Sequence, residues 1–139
     1  MTKPAAPPPV RPTEAEMAIL SVLWQRGPST VRDVHAALVE RNTGYTTVLK
    51  LMQIMADKGL CARDESQKSH VYRPLVDAGR TRRGLVADFM DRVFAGSAAE
   101  LVESALSTKP TSREELDAIR RLLDAKEAEA SARPPGSGR

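Results

Sequence analysis

Residues 43–59, Thr43-Gly44-Tyr45-Thr46-Thr47-Val48-Leu49-Lys50-Leu51-Met52-Gln53-Ile54-Met55-Ala56-Asp57-Lys58-Gly59, carry two faces in one stretch. At about 100° per residue, Tyr45, Val48, Leu49, Met52, Met55 and Ala56 share one side of a helix. Thr46, Thr47, Lys50, Gln53 and Asp57 share the other. The first set can bury against a core; the second is polar and rich in hydrogen-bonding groups. Ile54 breaks the rule, falling among the polar residues about 180° from Tyr45. Lys58-Gly59 supplies the stop.

Upstream, Thr13 with Glu16 three residues on forms a capping box that opens a helix bearing Met17, Leu20, Leu23 and Trp24. Gly27-Pro28 ends it. Thr30 with Asp33 repeats the box for a shorter helix, whose stripe is Val31, Val34 and Leu38 and whose end lies near Arg41-Asn42. Trp24 is expected in the core, against the second and third helices. Downstream, 60–65 and 70–75 read as short extended segments around the polar turn Ser66-Gln67-Lys68-Ser69, a hairpin.

From about Asp77 the chain is helical again. Leu85, Val86, Phe89, Met90 and Val93 form a stripe ending at Phe94-Ala95-Gly96. Ser97 with Glu100 caps a helix carrying Leu101, Val102, Ala105 and Leu106, and Ser112 with Glu115 caps a last one carrying Leu116, Ile119, Leu122 and Leu123. The predicted class is mainly α with a small β-hairpin. Its regions are a Pro-rich disordered tail over 1–12, a compact domain over 13–76, a helical region over 77–130 and a disordered tail over 131–139.

Three helices followed by a hairpin is the order of a winged helix-turn-helix, whose third helix enters the major groove of DNA. Charge agrees with that order. The chain is +3 overall. From Arg26 to Arg73 eight Lys/Arg face five Asp/Glu, whereas from Asp77 to Ala130 nine face eleven, so the basic part is the one holding the third helix. The DNA-contacting set read from this arrangement is Thr43 just ahead of the third helix, Tyr45, Thr46, Thr47, Lys50, Gln53 and Ile54 on it, and Arg63, Lys68 and His70 on the hairpin. Gln suits adenine and Lys suits guanine or phosphate. Arg73 lies on the same hairpin, and an ordinary solvated surface explains such charges as well.

The C-terminal stripes are too few to enclose a core. The simplest solution is a second copy, giving a two-fold homodimer on a palindromic operator. The expected interface is Leu85, Phe89, Val93, Phe94, Leu101, Val102, Leu106, Leu116, Ile119 and Leu123.

Several segments in order resemble the BlaI/MecI/CopY family of winged-helix repressors. They are Thr13-Glu14-Ala15-Glu16 with Val22-Leu23-Trp24; Gly27-Pro28 with Thr30-Val31-Arg32-Asp33-Val34; Tyr45-Thr46-Thr47-Val48; Lys58-Gly59-Leu60; Val71-Tyr72-Arg73-Pro74; and Gly96-Ser97 with Leu101-Val102. Leu116 to Leu123 fits the closing helix, so the likeness covers about residues 11–126. The resemblance implies a dimeric repressor and, in antibiotic-responsive members, a sensor or protease that relieves repression by cutting between Asn and Phe just past the Leu-Val pair. Here that place reads Leu101-Val102-Glu103-Ser104-Ala105, without the bond. Copper-type members carry a C-terminal Cys cluster that this sequence lacks.

Other chemistry finds little footing. No Gly-rich loop cradles phosphate, and no nucleophile, base and orienting acid fall at motif spacing, so no catalysis is expected. His35 and His70 lack partners at metal-ligand spacing, and neither metal nor cofactor is expected. His35 reads as a boundary residue of the second helix. The single cysteine, Cys61, reads as a small core residue. No apolar run reaches membrane-spanning length, and the start has no signal-peptide core, so a cytoplasmic protein is expected. Two other functions fit the same fold: a winged-helix module that binds protein without DNA, and a DNA-binding regulator that also senses a small ligand.

Overall fold

The computed structural model describes residues 11–132; the expected tails lie outside these residues apart from Arg11, Pro12, Ser131 and Ala132. Helix α1 spans Glu14–Arg26, capped by Thr13: its hydroxyl accepts from the Glu16 N–H while the Glu16 carboxylate accepts from the Thr13 N–H. The two-residue strand β1, Ser29–Thr30, leads into α2, Val31–Ala37, where Thr30 and Asp33 make the same reciprocal pair. The α-helical geometry of α2 stops earlier than expected. A 3-10 turn over Val39–Arg41 carries the chain on to Asn42, which is left-handed at φ 59°.

Helix α3 is Tyr45–Lys58. Gly59 ends it at φ +86°, with its N–H on the Ala56 carbonyl and the Leu60 N–H on Met55. Nothing lies within 4 Å of where its Cβ would sit, so conformation and not crowding calls for glycine there. Strands β2, Cys61–Asp64, and β3, Val71–Pro74, pair antiparallel with Cys61 opposite Pro74 and Asp64 opposite Val71.

The expected hairpin is a three-stranded sheet, because β1 adds to the free edge of β3, Ser29 opposite Tyr72 and Thr30 opposite Val71. Two residues are too short to show alternation in sequence, so β1 left no periodic signal.

The core gathers Ile19, Leu20 and Leu23 of α1, Val34 of α2, Val48, Met52 and Met55 of α3, and Cys61 and Tyr72 of the sheet, each at most 1% exposed. Val48, Met52 and Met55 are spaced four and three apart, one stripe of the helix. Trp24 is partly buried against this cluster, and it has two further partners beyond the sheet: its indole N–H donates to the Val76 carbonyl and its ring lies beneath Arg82.

Helix α4 spans Ala78–Phe94, α5 spans Ala98–Ser107 and α6 spans Arg113–Ala132. Ser97 accepts from the Glu100 N–H and Ser112 from the Glu115 N–H, as their spacing implied. Ser131 and Ala132 are helical, not the start of a tail. The chain divides into two compact units between Phe89 and Met90, inside α4, whereas the sequence placed its boundary between residues 76 and 77.

Candidate nucleic-acid interface

The outer face of α3 is built by exclusion. With Val48, Met52 and Met55 fully enclosed, the helix can only direct Thr46, Thr47, Lys50, Gln53, Ile54 and Asp57 outward, and all six are exposed. Ile54 is 38% exposed, an apolar side chain on a polar face.

The start of α3 is open. Its N-cap is Gly44, with no side-chain cap and no acidic residue in the first turn. The first N–H groups therefore lack an intrahelical or side-chain acceptor, and the positive end of the helix dipole meets no carboxylate. Helices α1 and α2 are both closed by capping boxes. Thr43 lies beside this end, its hydroxyl 3.5 Å from the Arg41 carbonyl.

Tyr45 departs from the helical count. Placed on the apolar side by phase, it is 46% exposed, and its ring meets His35 edge-on with centroids 5.8 Å apart. It sits in the first turn of α3 and is no part of the buried cluster, which leaves it with the outward set.

On the hairpin, Arg63 is engaged locally. Its Nε lies 2.7 Å from the Glu65 carboxylate, and its hydrogen bond to Tyr72, followed by the charge of Glu65, raises its already high pKa. Asp64 accepts from the Ser66 N–H at 2.9 Å, and the bonds to Ser66 hold its carboxyl below the usual range while pinning the start of the turn. Lys68, at the turn, and His70 and Arg73 are exposed. Lys68 and His70 thus stand at the surface with no ion pair among the described residues, while Arg63 is engaged by Glu65, just past β2, and by Tyr72 of β3.

Cys61 is buried, with its Sγ 3.9 Å from the Met52 carbonyl, and burial pushes the thiol up to about 11. A thiol so protonated is a poor nucleophile. Among the described residues no three His, Cys, Asp or Glu side chains are placed to hold a metal ion. Among the described residues no helix is long and apolar enough to cross a membrane.

The expected interface residues of the C-terminal helices divide in two. Leu85, Phe94, Leu101, Leu116 and Ile119 are half-buried, whereas Phe89, Val93, Val102, Leu106 and Leu123 are exposed. None of α4, α5 or α6 holds a buried residue.

Sequence reasoning missed two features of this region. One is the pairing of Arg63 with Glu65 and Tyr72, for which the two-residue spacing along an extended strand was a readable signal. The other is the open N-terminus of α3, legible in the absence of Ser, Thr, Asp or Asn at position 44.

Related proteins are similar to this chain over most of its length. The transcriptional regulator BlaI of Mycobacterium tuberculosis is 32% identical over 124 residues, covering 88% of this chain and 89% of that protein. The methicillin resistance regulatory protein MecI of Mammaliicoccus sciuri is 20% identical, covering 82% and 94%. Among solved structures, the transcriptional regulator Tm0710 from Thermotoga maritima aligns at a TM-score of 0.43 and 18% identity, over 84% of this chain and 77% of that one. The model of the penicillinase repressor family matches residues 12–125, from the cap of α1 into α6, and the chain belongs to that family.

Proposed function

We propose that this protein, a cytoplasmic homodimer, places α3 of each copy in the major groove of a palindromic operator and rests its hairpin on the DNA backbone. The coarser function is that of its family, DNA-binding repression of transcription and not catalysis. The observation that carries the finer reading is the two-sided α3. Its inner stripe is sealed in the core, so Thr46, Thr47, Lys50, Gln53 and Ile54 are presented together on a rigid element. An open helix N-terminus beside them suits a phosphate.

In this reading Lys50 and Gln53 address base edges, Thr46 and Thr47 address bases or phosphates, and Thr43 and Tyr45 flank the backbone at the start of α3. Lys68 and His70 take the wing contacts, and Arg63 contributes less because Glu65 already holds it. Exposed Val93, Val102, Leu106 and Leu123 support pairing of two chains through the C-terminal helices, since a lone chain leaves them in water. Relief of repression by a sensor or protease would need a bond other than the Asn-Phe one that Ser104-Ala105 replaces.

Gel shifts on fragments of the protein's own upstream region, run across salt concentrations, test the reading. Binding on the order of 10⁻⁸–10⁻¹¹ M that falls steeply with salt is expected. Salt-independent binding, or no fragment bound at all, would overturn it.

A further inference from the structure

Arg63 stands directly opposite Tyr72 in the β2–β3 ladder, so both side chains leave the same face of the sheet. Cys61, two residues earlier on β2, shares that face, and its Sγ lies 3.9 Å from the Met52 carbonyl of α3. Arg63 therefore leaves β2 on the side of the hairpin that packs on α3, the helix with the outward polar face. Tyr72 is 1% exposed, whereas the Arg63 side chain is 34% exposed.

Two groups hold the guanidinium there. It donates to the Tyr72 hydroxyl, and its Nε lies 2.7 Å from a Glu65 oxygen. Glu65 is itself held in place, because the Asp64 carboxylate accepts the Ser66 N–H and fixes the chain on either side of it. The two holds differ in kind. A phenol hydroxyl is neutral and offers an arginine little that a phosphate does not. A carboxylate is an anion, and it takes the same planar donors that a phosphate takes. Glu65 and a phosphate thus compete for one edge of Arg63.

We propose that Glu65 is a positioning residue that limits sequence-independent DNA binding: it competes with the phosphates for Arg63 and keeps that guanidinium folded against the sheet. Phosphate contacts tighten binding to DNA of any sequence, so withholding one leaves the outer face of α3 a larger share of the binding. The proposal rests on the reading above that the hairpin lies on the DNA backbone.

Glu65→Gln, Arg63→Gln, the double variant and Lys68→Gln test it in the full chain. Positions 63, 65 and 68 are exposed, and a Gln at 63 keeps an N–H for Tyr72, so all four should fold. Each is titrated at several salt concentrations with a duplex that the parent selects from a random-sequence library and with a scrambled duplex. Glu65→Gln should tighten both by roughly tenfold at low salt and steepen the salt slope by about 0.9, the mark of one added phosphate contact. In the Arg63→Gln background the same change should gain less than about twofold, since only the screened repulsion of an exposed carboxylate is then removed. Equal gains in the two backgrounds would overturn the proposal, because Glu65 would then act through its own charge and not through Arg63. An unchanged slope in Glu65→Gln, with binding weakened in Lys68→Gln, would overturn it too: the hairpin would touch DNA with Arg63 taking no part. If Lys68→Gln also keeps the parent's affinity and slope, the hairpin stands off the backbone, and the wing reading falls together with this inference.

Discussion

Lys58 Nζ lies 2.9 Å from both carboxylate oxygens of Glu16, joining the last turn of α3 to the first turn of α1. The Glu16 side chain is 3% exposed and also accepts the Thr13 N–H. The same carboxylate therefore caps one helix and anchors another.

Lys58→Met keeps the aliphatic stem but leaves that carboxylate without its cation. Stability should fall by about 2–3 kcal/mol, somewhat less than the ~3–5 for breaking a fully buried pair, because the Lys58 side chain is 30% exposed. Urea unfolding measures the loss, and Glu16→Gln added to Lys58→Met should recover part of it. A loss under about 0.5 kcal/mol would rank the pair with ordinary surface ion pairs.

Cys61 gives the chain a pH dependence at the alkaline end. Burial raises its thiol from 9.0 to about 11, so between those values the unfolded chain gives up its proton while the folded one keeps it. The stability this contributes is fully present below about pH 9 and is lost as pH rises through about 11. Unfolding followed from pH 8 to 11 should show a decline that Cys61→Ala lacks. At neutral pH, thiol reagents should label the native protein far more slowly than the unfolded chain, and equal rates would contradict the burial.

Ile54 stands on the outer face, so Ile54→Arg should fold like the parent. If the site faces phosphate, the variant should bind every duplex more tightly and steepen the salt slope by about 0.9. If Ile54 instead touches a thymine methyl, operator binding should weaken while non-specific binding rises. Titrating selected and scrambled duplexes at several salt concentrations separates the two; the first is the expected result.

Leu123 is 59% exposed in the single chain. In a homodimer closed by α4–α6 it is covered, and Leu123→Glu would bury an unpaired charge at a cost on the order of 3–5 kcal/mol. Sedimentation should show the variant as a monomer at concentrations where the parent is a dimer. An equally tight dimer would remove α6 from the interface.

What could be read from the amino-acid order was whatever is held within a turn or two of helix. The boxes Thr13–Glu16 and Thr30–Asp33 form as read, because both bonds of each join residues three apart. The Val48, Met52, Met55 stripe and the outward Lys50, Gln53 and Ile54 follow from helical phase alone. Tertiary structure decided the rest. Tyr45 has the phase of a core residue but occupies the first turn of α3, where its ring meets that of His35 edge-on and stays partly in solvent. Whether β1 exists depended on β3 offering a free edge to two residues with no pattern of their own. Glu16 with Lys58, 42 apart, and Trp24 with Val76, 52 apart, meet only once the core has closed. Each partner is an ordinary surface or core residue by local rules. Periodicity shows which side of an element faces inward; which atom waits there is set by packing, through contacts that the order of residues does not encode locally.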